Sequence, residues 1–188
     1  MAAVDRPMRA DARRNHDRLL AVAREAFAQD GYHTSLDDIA KRAGVGSGTL
    51  YRHFPSREAL LETVYRDDVE ALAGRADALA EQFPPAEALA AWMHEQLTYV
   101  REMRGLGSAV KTMLGAAPET FTYCKDILRA AVQRLLEPAQ RTGAIREDVT
   151  PADVMRLVHG VGTAVEQAPE EADRLLSIVI DGLRPQRS

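Results

Sequence analysis

Apolar and polar positions along this chain repeat at helical spacing and almost nowhere alternate as a strand would. Leu19/Leu20, Ala23 and Ala26/Phe27 recur at i, i+3/i+4 and i+7, one face of a helix over about 15–29. Gly31 follows where a left-handed C-cap would sit. Ser35 then offers an N-cap with Asp38 three residues on, a short-armed capping box. Leu36, Ile39, Ala40 and Ala43 form the inward face of a short helix over about 36–43, broken by Gly44-Val45-Gly46. A third short helix over about 47–53 turns Leu50 inward and stops at Phe54-Pro55, because a residue before proline avoids helical geometry. Ser56 caps a long helix from 57 to about 79, striped by Leu60/Leu61, Val64/Tyr65, Val69 and Leu72.

Pro84-Pro85 is the clearest break in the chain. Beyond it, helices are expected over about 86–103, 108–116, 118–141, 151–166 and 169–183, with Gly105-Leu106-Gly107 and the loop 143–150 between them. Thr150 suits an N-cap, with Pro151 in the first helical position. Residues 1–14, with Arg6, Arg9, Arg13 and Arg14, read as a basic arm. The expectation is an all-α chain of about nine helices. It divides into an N-terminal domain over 1–56, three helices including a helix-turn-helix, and a C-terminal helical domain over 57–188.

Composition narrows the function classes. The 188 residues are 46% hydrophobic and 28% charged, a globular balance. The single cysteine, Cys124, allows no intrachain disulfide and no Cys/His zinc cluster, so no metal or other cofactor is expected. No apolar run reaches the roughly 18 residues of a membrane span, and the N-terminus lacks the apolar core of a signal peptide. A cytoplasmic, non-membrane protein is expected. The net charge of −4 says nothing for nucleic acid until it is divided. Residues 1–57 carry 10 basic and 7 acidic groups, and the remainder carries 14 and 21. A +3 head and a −7 body suggest two parts with different partners. No catalytic set emerges: there is no phosphate loop, no HExxH and no GxSxG, so an enzyme is not expected.

The informative stretch is 36–54. Two short helices joined by a glycine turn are the helix-turn-helix pattern. Ile39, Ala40, Val45 and Leu50 would lock the pair together. The second helix is left with a face that packing does not need: Ser47, Gly48, Thr49, Tyr51, Arg52 and His53. Such groups reach phosphate oxygens and base edges in a major groove. Glycines at 46 and 48 also leave the backbone N–H groups of that helix start open to a phosphate.

Phe27 through Val45 (FAQDGYHTSLDDIAKRAGV), then Gly48-Thr49-Leu50-Tyr51-Arg52-His53-Phe54, then Arg57-Glu58-Ala59-Leu60-Leu61, closely resembles the N-terminal domain of the tetracycline-repressor (TetR) family of bacterial transcriptional regulators over about 15–65. The resemblance implies a homodimer that binds double-stranded operator DNA. A small-molecule effector would enter the helices over 57–141, and the last two helices would dimerise. It also implies a repressor released from its operator by the effector. An activator or dual regulator, or a helical small-molecule-binding or enzyme-like bundle without specific DNA binding, is the alternative. Thr34, Ser47, Gly48, Thr49, Tyr51, Arg52, His53 and Arg57 match the family's DNA-contact positions, with Tyr51 and His53 on phosphates. Here Gly46 stands where many relatives carry serine, and Ser47 where many carry a basic or bulky residue, so position 47 suggests weaker or water-mediated readout.

Candidate effector-pocket residues are Trp92, Met93, His94, Gln96, Tyr99, Met103, Met113, Phe121, Tyr123 and Cys124, which combine apolar bulk with a few polar groups. Each also fits plain core packing. Val158 and Gly162, with Leu175, Ile178 and Val179 on the last helix, are candidates for the dimer face, where small residues permit close helix approach. The alternative for Gly162 is packing within one chain.

Overall fold

The computed structural model describes residues 5–31, 33–103, 115 and 117–185. Among them are eight α-helices and no strand. They are α1 (Asp5–Asp30), α2 (Leu36–Arg42), α3 (Ser47–His53), α4 (Arg57–Gln82), α5 (Pro85–Glu102), α6 (Pro118–Arg141), α7 (Pro151–Ala164) and α8 (Ala172–Gly182). A 3-10 turn, Pro169–Glu171, precedes α8. Of the helix expected over 108–116, all but residue 115 lies outside the described residues.

The helix stops and starts follow from single residues. Gly31 takes φ +75° after α1, and its N–H donates to Phe27 O at 3.1 Å. Ser35 Oγ accepts from the Asp38 N–H at the start of α2, and Ser56 Oγ accepts from the Ala59 N–H at the start of α4. At α7, Thr150 and Asp153 cap each other reciprocally, satisfying two of the N–H groups a helix start leaves over.

Two expectations change. The basic arm is helical from Asp5 onward, so α1 begins ten residues before the helix start expected at about 15. The early part, rich in alanine and arginine, is helical by propensity rather than periodicity. At the other end, Pro169 opens a 3-10 turn and the α-helix proper starts at Ala172.

The chain forms two compact units. The first comprises the described residues of 1–67 and 103–120; the second those of 68–102 and 121–188. Residues 57–67 of α4 thus belong to the first and 68–82 to the second. The first unit is built on one core: Leu19, Leu20, Ala23, Ala26 and Phe27 of α1, Leu36, Ile39 and Ala40 of α2, Leu50 of α3, and Leu60, Leu61 and Val64 of α4. Removing that much apolar surface from water is what holds helices of seven residues, which are too short to persist alone.

In the second unit, Leu89, Trp92, Met93 and Leu97 of α5, Leu135 and Leu136 of α6, Val154 and Val158 of α7 and Leu176 of α8 are fully or almost fully buried. The indole of Trp92 donates to Leu72 O on α4 at 2.9 Å, which fixes it and satisfies its polar end. Gly162 of α7 lies so near α5 that a Cβ there would meet Val100 Cγ1 at 2.7 Å.

Candidate nucleic-acid interface

The pairing of α2 with α3 rests on a turn only glycine enters easily. Gly44 takes φ +65°. Around it, the Gly44 N–H donates to Lys41 O and the Val45 N–H donates to Ala40 O, at 3.1 and 3.0 Å. Gly46 serves as N-cap of α3 in an extended conformation, without a side-chain cap. A Cβ at Gly46 or Gly48 would meet nothing within 4 Å, so the first turn of α3 is open on its outer side.

One residue anchors α3 from within: Leu50, fully buried. Ser47, Gly48, Tyr51, Arg52 and His53 are exposed, and Thr49 is half-buried. Tyr51 is 46% exposed. The structure thus gathers five of the eight DNA-contact candidates on the free side of one short helix. Arg57 stands apart, half-buried at the start of α4. Thr34 is placed differently: it is only 7% exposed, and its hydroxyl faces Gly31 O at 2.9 Å and Ala26 O at 3.3 Å. Its side chain serves the α1–α2 junction.

The far end of α3 is pinned by rings. Phe54 is buried, and the His16 ring of α1 lies 5.4 Å from it and 5.9 Å from His53, edge-on. His16 and Phe54 are thus the ring neighbours of His53. His16 continues the stripe 16, 19/20, 23, 26/27 by one turn, the signal by which the sequence could have revealed it. The ion pair Arg42–Asp30, 2.8 Å and about half exposed on both sides, ties the end of α2 to the end of α1. At that exposure it contributes little to stability.

The pocket candidates scatter. Trp92, Met93 and Gln96 are buried on successive turns of α5. His94 is half-buried, its Nδ1 2.9 Å from Ala90 O of its own helix. Tyr99 is also half-buried, and Cys124 is fully buried on α6. Phe121 and Tyr123 are exposed, and the Tyr123 hydroxyl donates to Glu70 at 3.0 Å. That contact edges an open cleft of about 350 Å³ between α4 and α6, walled by Ala73, Gly74, Ile127 and Ala130. Met103 packs against the core of the first unit, and Met113 lies outside the described residues. Among the described residues no group of three metal-ligating side chains occurs, and no helix is long and apolar enough to cross a membrane.

Of the dimer candidates, Val158 and Gly162 are already buried within one chain, Gly162 against Val100 and Leu97. Leu175 and Val179 are half-buried, and Ile178 is 56% exposed. Leu157 on α7, in the same stretch as Val158 and Gly162, is also exposed.

Comparison with known proteins agrees with this geometry. The family model for bacterial regulatory proteins of the tetR family matches residues 19–64, and that for the transcriptional regulator SbtR-like C-terminal domain matches residues 84–185. The chain is 30% identical over 162 residues to the HTH-type transcriptional regulator UidR of Escherichia coli, covering 80% of this chain and 79% of UidR. It is 27% identical over 183 residues to the HTH-type transcriptional repressor KstR2 of Rhodococcus jostii, covering 88% and 89%. The crystal structure of the TetR transcriptional regulator SCO0520 from Streptomyces coelicolor superposes with a TM-score of 0.78 at 35% identity, covering 91% of this chain and 99% of that one. The TetR transcription regulatory protein from Mycobacterium vanbaalenii gives 0.76 at 35% identity, covering 95% and 100%.

Proposed function

The chain belongs to the tetR family of bacterial regulatory proteins, DNA-binding transcriptional regulators, and from that membership we propose that it is a homodimeric repressor released from a palindromic operator by a small molecule. The observation that carries the DNA-reading part is α3: seven residues, one of them buried, with Ser47, Gly48, Tyr51, Arg52 and His53 turned outward. A helix held by a single leucine has nearly its whole surface available for a groove.

In this reading Tyr51 and His53 hold phosphates, while Ser47, Thr49 and Arg52 lie toward the bases. Phosphate contacts set register and base contacts set sequence. The exposed apolar residues Leu157 and Ile178, with Leu175 and Val179 beside them, support a partner chain on the last two helices. Release follows if the effector binds the DNA-incompetent arrangement more tightly, since a ligand shifts an equilibrium only by its difference in affinity for the two states. The relative named a repressor, KstR2, is in keeping with that sign of regulation.

Selection from random duplexes with the full-length protein tests this. Enrichment of a palindrome is expected. Tyr51→Phe should then weaken binding to selected and unselected duplexes alike, as loss of a phosphate contact does. No enriched sequence would overturn the proposal.

A further inference from the structure

Gln96 is the one polar residue among the fully buried side chains of α5, and it is 3% exposed. Its amide has two ends with opposite needs. The Nε2 end faces the thioether of Met155 on α7 at 3.1 Å. Sulfur there accepts and cannot donate, so it holds the amide with nitrogen toward it. The Oε1 end is then left in the interior, and no group among the described residues donates to it. The Trp92 indole N–H, one turn before it, is committed to Leu72 O at 2.9 Å. Met93 and Leu97, the flanking buried residues, offer no donor. Buried side-chain polar atoms are in large majority hydrogen-bonded, and an exception calls for an explanation.

We propose that Gln96 Oε1 reads the effector, and that the effector is a small, mainly apolar molecule carrying a hydrogen-bond donor, such as a hydroxyl or an amide N–H. This rests on the reading of the second unit as the effector-binding body. The amide is positioned by Met155 and flanked by the buried Trp92, so a donor that reaches Oε1 meets an acceptor whose direction is already set. An acceptor-only analogue of the same shape, an ether for an alcohol, leaves the carbonyl unmet and loses affinity. Discrimination of this kind comes from the group left unpaired in the wrong complex.

The chain has one tryptophan, and it lies one turn from Gln96, so its emission reports binding at this place. The full-length protein is titrated with cyclohexanol and with its methyl ether, in wild type and in Gln96→Met. The wild type should saturate with the alcohol at a concentration about tenfold lower than with the ether, the size of effect one buried hydrogen bond gives. Gln96→Met should bring the two curves together. Without any probe, Gln96→Met should raise Tm by about 2–4 °C, because it replaces an orphaned carbonyl with an apolar chain of similar length. Equal affinities in the wild type, a preference surviving in Gln96→Met, no saturable response to either probe, or a lowered Tm each overturn the proposal. Wild-type DNA selection is run separately: its failure overturns the regulator reading and leaves the fluorescence result standing.

Discussion

A hydroxyl has one hydrogen to give, and that of Thr34 is directed to backbone carbonyls of the α1–α2 junction. A phosphate can only accept, so Thr34 cannot donate to both. Thr34→Val should therefore act through the fold, costing about 0.5–1.5 kcal/mol for the side-chain hydrogen bond lost, while Thr34→Ser stays close to wild type in Tm. A Thr34→Val protein with unchanged melting but lost DNA affinity would return the residue to the interface. Gly162 poses the opposite problem, one of space. Its hypothetical Cβ lies 2.7 Å from Val100 Cγ1, so Gly162→Ala should destabilise by about 1–3 kcal/mol through overpacking. Val100→Ala in the same chain should recover most of that, and the coupling in a denaturation double-mutant cycle measures it. Additive losses would mean that the contact with Val100 is not what constrains the position.

At the scale of elements, α7 begins on a device that titrates. Asp153 Oδ2 accepts from the Thr150 hydroxyl at 2.6 Å and from its N–H at 3.0 Å. The Thr150 side-chain hydrogen bond, then the backbone one, hold the Asp153 carboxyl below its ordinary value. A carboxyl depressed in the folded state stabilises fully above its unfolded pKa, about 3.9. That stability is lost as pH falls through the folded value. Melting followed from pH 7 to pH 3 should show this acid loss, and Asp153→Asn should flatten it; an unchanged slope would remove the cap from the acid response. Thr150→Ala should cost about 1 kcal/mol at neutral pH, the usual worth of an N-cap. This box was half legible in the sequence, since Thr150-Pro151 marked the helix start but the carboxyl's return bond did not show. The apolar spacing in the head was legible throughout: Ile39, Ala40 and Leu50 are all buried. The first ten residues of α1 were not, because Asp5 to Arg14 carry no apolar stripe to betray a helix. Nor could spacing sort the pocket candidates. α5 buries a broad face, and Trp92 and Gln96 look alike by periodicity until partners are known.

For the molecule as a whole, the division of charge matters more than the total of −4. A head with an excess of three positive charges contributes a modest long-range attraction, and the slope of DNA affinity against salt should report how many phosphates its cationic side chains neutralise. Association of two chains would bring two such heads to one operator. Ile178→Asp places a charge on the exposed apolar face of α8. Light scattering should move from twice the 20.7 kDa of one chain toward that mass itself. DNA affinity should drop with it, and a wild type already at 20.7 kDa at micromolar concentration would exclude the dimer. The single buried leucine of α3 also bears on how such proteins diverge. Because Leu50 is the one buried residue of that helix, the outward positions from Ser47 to Arg52 can be rewritten by mutation at little thermodynamic risk to the head. A duplicated gene could drift to a new target site in small viable steps, each altering what is read before it threatens what is folded.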